Sequence, residues 1–347
     1  MSKSIGLMAR FALVPAVVAF ALSLSAGNVC TWQGGSGKFS DANWDVAPVS
    51  GNGDTLVFDT SNGTAITVEN DLGDDFELGL IKTASGTGFK SFGQVTLTGK
   101  SLYFDKGASW GSVVIEAGTD GTNRGAPMQF DMPLRFKSGR IKMSNTFVYN
   151  GKITIDDDCQ LSIGWSARHT ADKMPVTFNG EIYGPNADCD ITPGDGGHGS
   201  KLSFNGKITL RNLYNNGGYL GGKPSTYFNV AGNKIGTFNF RYNHMIYFPT
   251  ANALDAMTVI KDLTYGERGM LTFQADQTID RFVVDGTSSP ERYIADKPAT
   301  VTMKASAGTQ GQFLFRRQAL ACLGSSGRLH LHARLPFGLH EHDERYA

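Results

Sequence analysis

From residue 30 to about 310 the chain is written almost entirely in short runs of period two, and this constrains its fold more than any other feature. Thr55-Leu-Val-Phe58, Gln94-Val-Thr-Leu-Thr98, Lys152-Ile-Thr-Ile155, Lys201-Leu-Ser-Phe204 and Thr237-Phe-Asn-Phe240 alternate apolar with polar side chains and are rich in β-branched and aromatic residues. Such runs predict strands with one buried face. Between them stand Asn-Gly pairs at 52, 62, 150, 179, 205 and 216 and Asp-Gly pairs at 120, 195 and 285. These pairs turn a chain tightly because both residue types tolerate positive φ. With 43 glycines in 347 residues, the expectation is an all-β fold of short strands and turns.

One unit recurs. Phe147-Val-Tyr-Asn-Gly-Lys-Ile-Thr-Ile155 is echoed by Phe178-Asn-Gly-Glu-Ile182 and by Phe204-Asn-Gly-Lys-Ile-Thr-Leu210, with glycine spacings of 29 and 26 residues. A period in that range, with turns in matching places, predicts the coils of a solenoid. In such a stack each coil covers the apolar face of the next, and Asn or Thr can form ladders along it. The alternative reads Asn-Gly as hairpin turns of an antiparallel β-sandwich.

The first 26 residues differ from the rest. Lys3 and Arg10 precede a wholly apolar run, Phe11 to Leu22, and a small, polar stretch ending at Ala26-Gly27. This is the pattern of a secretory signal peptide, and the run is shorter than the roughly 20 residues that span a bilayer. Residues 1–26 are therefore expected to be a cleaved signal peptide and 27–310 an exported β-solenoid, secreted, at the cell surface, or periplasmic if the product is truncated. No later segment is apolar enough to cross a membrane as a helix. Lys+Arg and Asp+Glu are both 32, so the basic excess that nucleic-acid binding requires is missing.

The segment Thr31-Trp-Gln-Gly-Gly-Ser-Gly-Lys-Phe-Ser-Asp-Ala-Asn-Trp44, followed by Pro48 and Gly53-Asp-Thr-Leu-Val-Phe58, resembles the opening unit of passenger regions carrying autotransporter-associated β-strand repeats. The Phe-Asn-Gly-Lys-Ile copies and Gln277-Thr-Ile-Asp-Arg-Phe282 resemble the repeats that follow. The resemblance implies a right-handed parallel β-helix displayed on, or released from, a Gram-negative cell. It also implies a structural or adhesin-like role without catalysis, with extracellular glycans or other cell surfaces as partners. The β-helix polysaccharide lyases and glycan-binding modules give the alternative. Complete autotransporters end in a membrane β-barrel, which the last residues here do not resemble.

No catalytic constellation stands out. Asp156-Asp157-Asp158 follows a strand and is a candidate for calcium, a hard cation that takes carboxylate oxygens; the alternative is a solvated turn. No other cofactor is expected. Residues 212–248 are the most aromatic stretch, and Tyr214, Tyr219 and Tyr242 are its candidate sugar contacts if exposed, core residues if buried. Among the four cysteines, Cys159 and Cys189 are the expected disulfide in an oxidising compartment, with two buried thiols as the alternative. From residue 311 to 347 Thr, Asn, Ile, Val and Lys vanish and Leu, Arg and His replace them. This tail is expected to be atypical, either translated out of frame or disordered.

Overall fold

The computed structural model describes residues 27–333, apart from 84–85, 88–91, 106–111, 118–122, 144–145, 166–174, 193–200, 216–224, 241–244, 254–257, 263–269, 280, 286–291, 294–299, 304–311, 317–321 and 324–329. Short strands wind into a parallel β-helix whose coils present three faces. The first face is a ten-stranded sheet that begins at Gly37–Lys38, Ile66–Asn70 and Val95–Gly99. It continues through Met128–Asp131, Phe147–Tyr149, Pro175–Phe178, Lys201–Phe204 and Ser225–Phe228 to Met245–Phe248 and Met270–Phe273. The second and third faces are fused into one 15-stranded sheet, because long strands such as Leu134–Met143 and Ile182–Thr192 turn the corner between them.

The pairing decides against the sandwich. Successive coils pair parallel on every face, as in Phe147↔Val176 and Val176↔Leu202 on the first and Ile153↔Ile182 and Ile182↔Ile208 on the second. Antiparallel contact among the described residues is confined to Gly86–Thr87 with Asn123–Arg124 and to a Trp32–Trp44 bridge. The Asn-Gly pairs at 150, 179 and 205 are thus corners between the first and second faces of one coil, not hairpins.

Period two does here what the alternation implies. In Phe147–Tyr149 and Ile153–Ile155 the outer two residues are buried and the middle one is half-buried. In-register parallel pairing puts like on like, so from Met128–Asp131 onward an aromatic at or next to the end of each first-face strand stacks on its counterpart one coil away. Ring centroids lie 5.1 Å apart for Phe130–Tyr149, 4.8 Å for Tyr149–Phe178 and 5.3 Å for Phe178–Phe204. The spine continues at 5.3 Å for Phe204–Phe228, 5.3 Å for Phe228–Phe248 and 5.5 Å for Phe248–Phe273. The spacing follows from the interstrand distance of about 4.8 Å. Each buried ring contributes about 1.5–3 kcal/mol by leaving water.

The N-terminal end is closed by its own chain. Trp32, Trp44 and Phe39 pack edge-on, at 4.8 Å for Trp32–Trp44 and 5.6 Å for Phe39–Trp44, and Trp44 reaches Phe58 at 5.7 Å. The indole N–H groups donate to Gly35 and Phe39 carbonyls. The free edge of Val29–Trp32 is covered too: Gln33 N–H donates to Asn43 O, and Asp45 N–H to Thr31 O. A covered edge cannot template pairing with another chain. Under this cap, Asp54 is wholly buried and accepts from Asn28 N–H, Val49 N–H and the Asn52 amide. The Gly-Asp-Thr motif is therefore a structural hub.

Beyond residue 311 the described residues form short strands that pair parallel. Gln312–Arg316 pairs parallel with Arg281–Asp285, and His330–Ala333 with Thr300–Met303.

Candidate functional site: the outward ladders

Along the corner between the first and second faces, five residues follow the spine aromatics and form one hydrogen-bonded ladder. Asn229 Nδ2 donates to Asn205 Oδ1 (2.8 Å), Asn205 to Asn179 (2.7 Å), Asn179 to Asn150 (2.7 Å), and Asn150 to the Asp131 carboxylate (2.5 Å). All amides point the same way, and the terminal acceptor is an anion that can only accept. The motif is an aromatic followed by Asn or Asp. Its Phe130-Asp131 and Phe228-Asn229 members escape a search for Asn-Gly alone.

The glycines that follow are required by space rather than by positive φ. A Cβ on Gly180 would lie 1.8 Å from the Gly151 carbonyl oxygen, and one on Gly206 would lie 2.0 Å from that of Gly180. Neither glycine is in the positive-φ region, whereas Gly53 and Gly63 are, at 70° and 82°. The positive-φ turn chemistry expected of Asn-Gly pairs holds for those two, and close packing of coil corners explains Gly151, Gly180 and Gly206.

On the outward side of the second face, charges are paired between coils. Arg135 donates to Asp156 (2.8 Å) on the next coil and to Asp75 (2.9 Å), two coils back, with its guanidinium 5.0 Å over the Tyr103 ring. Arg211 donates to Asp188 (2.9 Å) and Asp158 (2.8 Å). These hydrogen bonds hold both guanidinium groups more firmly protonated than usual. Lys152 sits 3.0 Å from Glu181 and 4.4 Å above the ring of Tyr183, which is 39% exposed. Tyr183 and Tyr103 stand at outward positions of period-two strands, a signal legible in the sequence but outweighed there by the denser aromatic stretch further on.

The acidic run is thus split up. Asp156 and Asp158 are committed to different arginines, Asp158 with φ 57°, while Asp157 is exposed. Among the described residues no group of three or more His, Cys, Asp or Glu side chains is placed to hold a metal. Tyr214 is half-buried at an outward position of Ile208–Asn215. Tyr219 and Tyr242 lie outside the described residues. Tyr227 and Tyr247 also stand at outward positions, stacked at 4.5 Å with Lys201 Nζ 4.7 Å from the Tyr227 ring. Their stacking covers one face of each ring, and the Tyr247 hydroxyl donates to Met245 Sδ at 3.8 Å.

Cys159 and Cys189 are free thiols in this structure, the first half-buried and the second buried. Cys189 lies opposite Leu161, two residues beyond Cys159. A two-residue offset along a strand is about 7 Å, against the roughly 4 Å between Cβ atoms that a disulfide needs. Burial pushes all three described thiols up, Cys30 to about 12 with the Asp54 carboxylate adding to the effect.

No helix among the described residues is long and apolar enough to cross a membrane. No protein-family model, curated protein or solved structure matches the chain. What the coordinates establish is therefore architectural: a parallel β-solenoid scaffold whose outward polar groups are laddered from coil to coil.

Proposed function

We propose that the chain is an exported, non-catalytic scaffold of the autotransporter-passenger type, presenting its outer faces to extracellular glycans or other cell surfaces. The observation that carries this reading is how the outward polar groups are used. The Asn ladder and the Arg135 and Arg211 pairs bond along the solenoid axis, coil to coil, instead of converging on one point. A catalytic site requires groups gathered within hydrogen-bond reach of one reacting atom. An axial array instead stiffens a rod and repeats the same surface at every coil, which suits low-affinity contacts made many times over.

The test has two arms. The full chain, expressed in a Gram-negative host and fractionated, is expected to lose its first residues near Ala26 and to become accessible to added protease on intact cells. The exported product, incubated with acidic and neutral polysaccharides in calcium and then in chelator, is expected to leave them uncut. An unprocessed cytoplasmic chain overturns export, and release of unsaturated sugar products overturns the scaffold reading.

A further inference from the structure

We propose that, among the described Asn-Gly pairs, Asn62-Gly63 is the one that spontaneously deamidates, and that the asparagine ladder keeps Asn150, Asn179 and Asn205 from the same fate. Asn-Gly is the dipeptide most open to this reaction, because glycine offers no side chain to obstruct the attack. The Gly backbone nitrogen, once deprotonated, bonds to the Asn Cγ and expels the side-chain nitrogen as ammonia. Water then opens the cyclic imide to Asp or isoAsp. No oxidant or reductant enters, and the only co-reactant is water.

The coil corners need this labile pair. Gly180 and Gly206 have no room for a Cβ, and Asn179 and Asn205 are ladder members. Both reacting groups are restrained in each copy. Asn150, Asn179 and Asn205 each donate through Nδ2 to the residue one coil away, and the Oδ1 of each accepts from the coil on the other side. The amide plane is therefore tied along the solenoid axis and cannot swing onto its own backbone. The attacking nitrogens are occupied as well: Gly151, Gly180 and Gly206 N–H donate across coils to Phe130, Tyr149 and Phe178 carbonyls, at 3.3, 3.2 and 3.2 Å. Deprotonation of such an N–H, like its hydrogen exchange, requires the contact to open.

Asn62 and Gly63 are held by contacts within their own turn instead of between coils. Residues 61–65 are all exposed, and Asn62 Oδ1 accepts from Thr64 N–H at 2.9 Å. That contact folds the side chain back over the residues that follow it, the direction the attack takes. Gly63 N–H donates to Thr60 O at 2.9 Å within its own turn, so this contact can open without separating coils, the buried Thr60 carbonyl keeping the Gly93 N–H as its donor from the next coil. The remaining described pair, Asn52-Gly53, is half-buried, with its amide donating to the Asp54 carboxylate at 2.7 Å.

Incubation of the full folded chain at mildly alkaline pH and 37 °C, followed by peptide mapping that separates Asn, Asp and isoAsp, tests this directly. Conversion of Asn62 is expected to run at least about tenfold ahead of Asn150, Asn179 and Asn205, which corresponds to an opening cost of about 1.4 kcal/mol at the ladder. In denaturing urea the four rates are expected to converge. The variant Asn150→Ala, checked for an unchanged circular dichroism spectrum, removes the acceptor of the Asn179 amide and is expected to speed conversion at Asn179 while leaving Asn205 as it was. Ladder residues converting as fast as Asn62 in the folded chain, or a spread of rates that survives urea, would overturn the proposal.

Discussion

Replacing Tyr149 by phenylalanine is expected to stabilise this protein, against the general tendency of core substitutions. Tyr149 is 1% exposed and stacked between Phe130 and Phe178, at 5.1 and 4.8 Å. Its hydroxyl is buried and meets no hydrogen-bond partner. A buried, unpaired hydroxyl costs about 1–3 kcal/mol relative to one in water. Removing it leaves a void of one oxygen atom, smaller than the methyl-sized hole that costs about 1 kcal/mol. The ring, its stacking and its rotamer are kept. The expected gain for Tyr149→Phe is therefore about 0.5–2 kcal/mol, read as a higher urea midpoint at unchanged m value on the full chain.

A second readout fixes the cause. Burial holds the Tyr149 phenol well above its ordinary value of 10.0. Below pH 10 neither folded nor unfolded chain ionises it; above pH 10 the unfolded chain does and the folded chain does not. The unfolded state then binds fewer protons, so this group's contribution to stability falls as pH rises past 10. The wild-type chain should lose stability over that interval more steeply than Tyr149→Phe, and the advantage of the variant should widen. A lower midpoint for Tyr149→Phe at pH 7 would refute the reasoning, because it would mean that the hydroxyl holds a bond worth more than its burial costs.

Three further outcomes follow from the same geometry. Asp54→Ala strands the Asn28 and Val49 N–H groups and the Asn52 amide beneath the N-terminal cap and should cost about 3 kcal/mol or more, seen as early loss of Trp32 and Trp44 fluorescence in urea. Gly180→Ala, whose Cβ meets a carbonyl oxygen at 1.8 Å, should destabilise by more than about 3 kcal/mol, whereas Asn179→Ala, which breaks two exposed ladder bonds, should cost about 1 kcal/mol; urea midpoints order the two. Cys30 and Cys189, buried and with thiols pushed up, should resist alkylation at pH 8 until urea unfolds the chain, and mass spectrometry of labelled peptides should show no Cys159–Cys189 link.

Much of this architecture was legible because it is periodic. Strands such as Lys201–Phe204 announce themselves by alternation, and the Phe-Asn-Gly copies mark a single corner of successive coils. The reason for the glycines was not legible, because Gly180 answers to a carbonyl 29 residues earlier in sequence that only coil stacking brings near. The acidic run shows the same limit. Read along the chain, Asp156 and Asp158 are neighbours; in the solenoid, one turns to Arg135 and the other to Arg211, residues supplied by other coils. A pattern repeating at coil length reports what stacks, while a cluster within one coil reports nothing about which coil it will face. The cysteine pair fails on the same ground, since a separation near the repeat length puts two residues on adjacent coils without putting them in register.

The ladders also bear on how stability is distributed. In a solenoid whose coils touch only their neighbours, folding free energy is a sum of coil and nearest-interface contributions. The aromatic spine and the Asn ladder obey that rule, each contact reaching one coil along. The arginines do not: Arg135 joins Asp156 on the next coil to Asp75 two coils back, passing over Tyr103 between them, and Arg211 likewise joins Asp188 and Asp158 on successive coils. Exposed pairs of this kind contribute at most about 1 kcal/mol each and are weakened by salt. Their weight lies less in that sum than in range, since a link across three or four coils makes it harder for any one of them to open alone. The spine and ladder set the repeat, and the charged outer side of the second face couples repeats that would otherwise open one at a time.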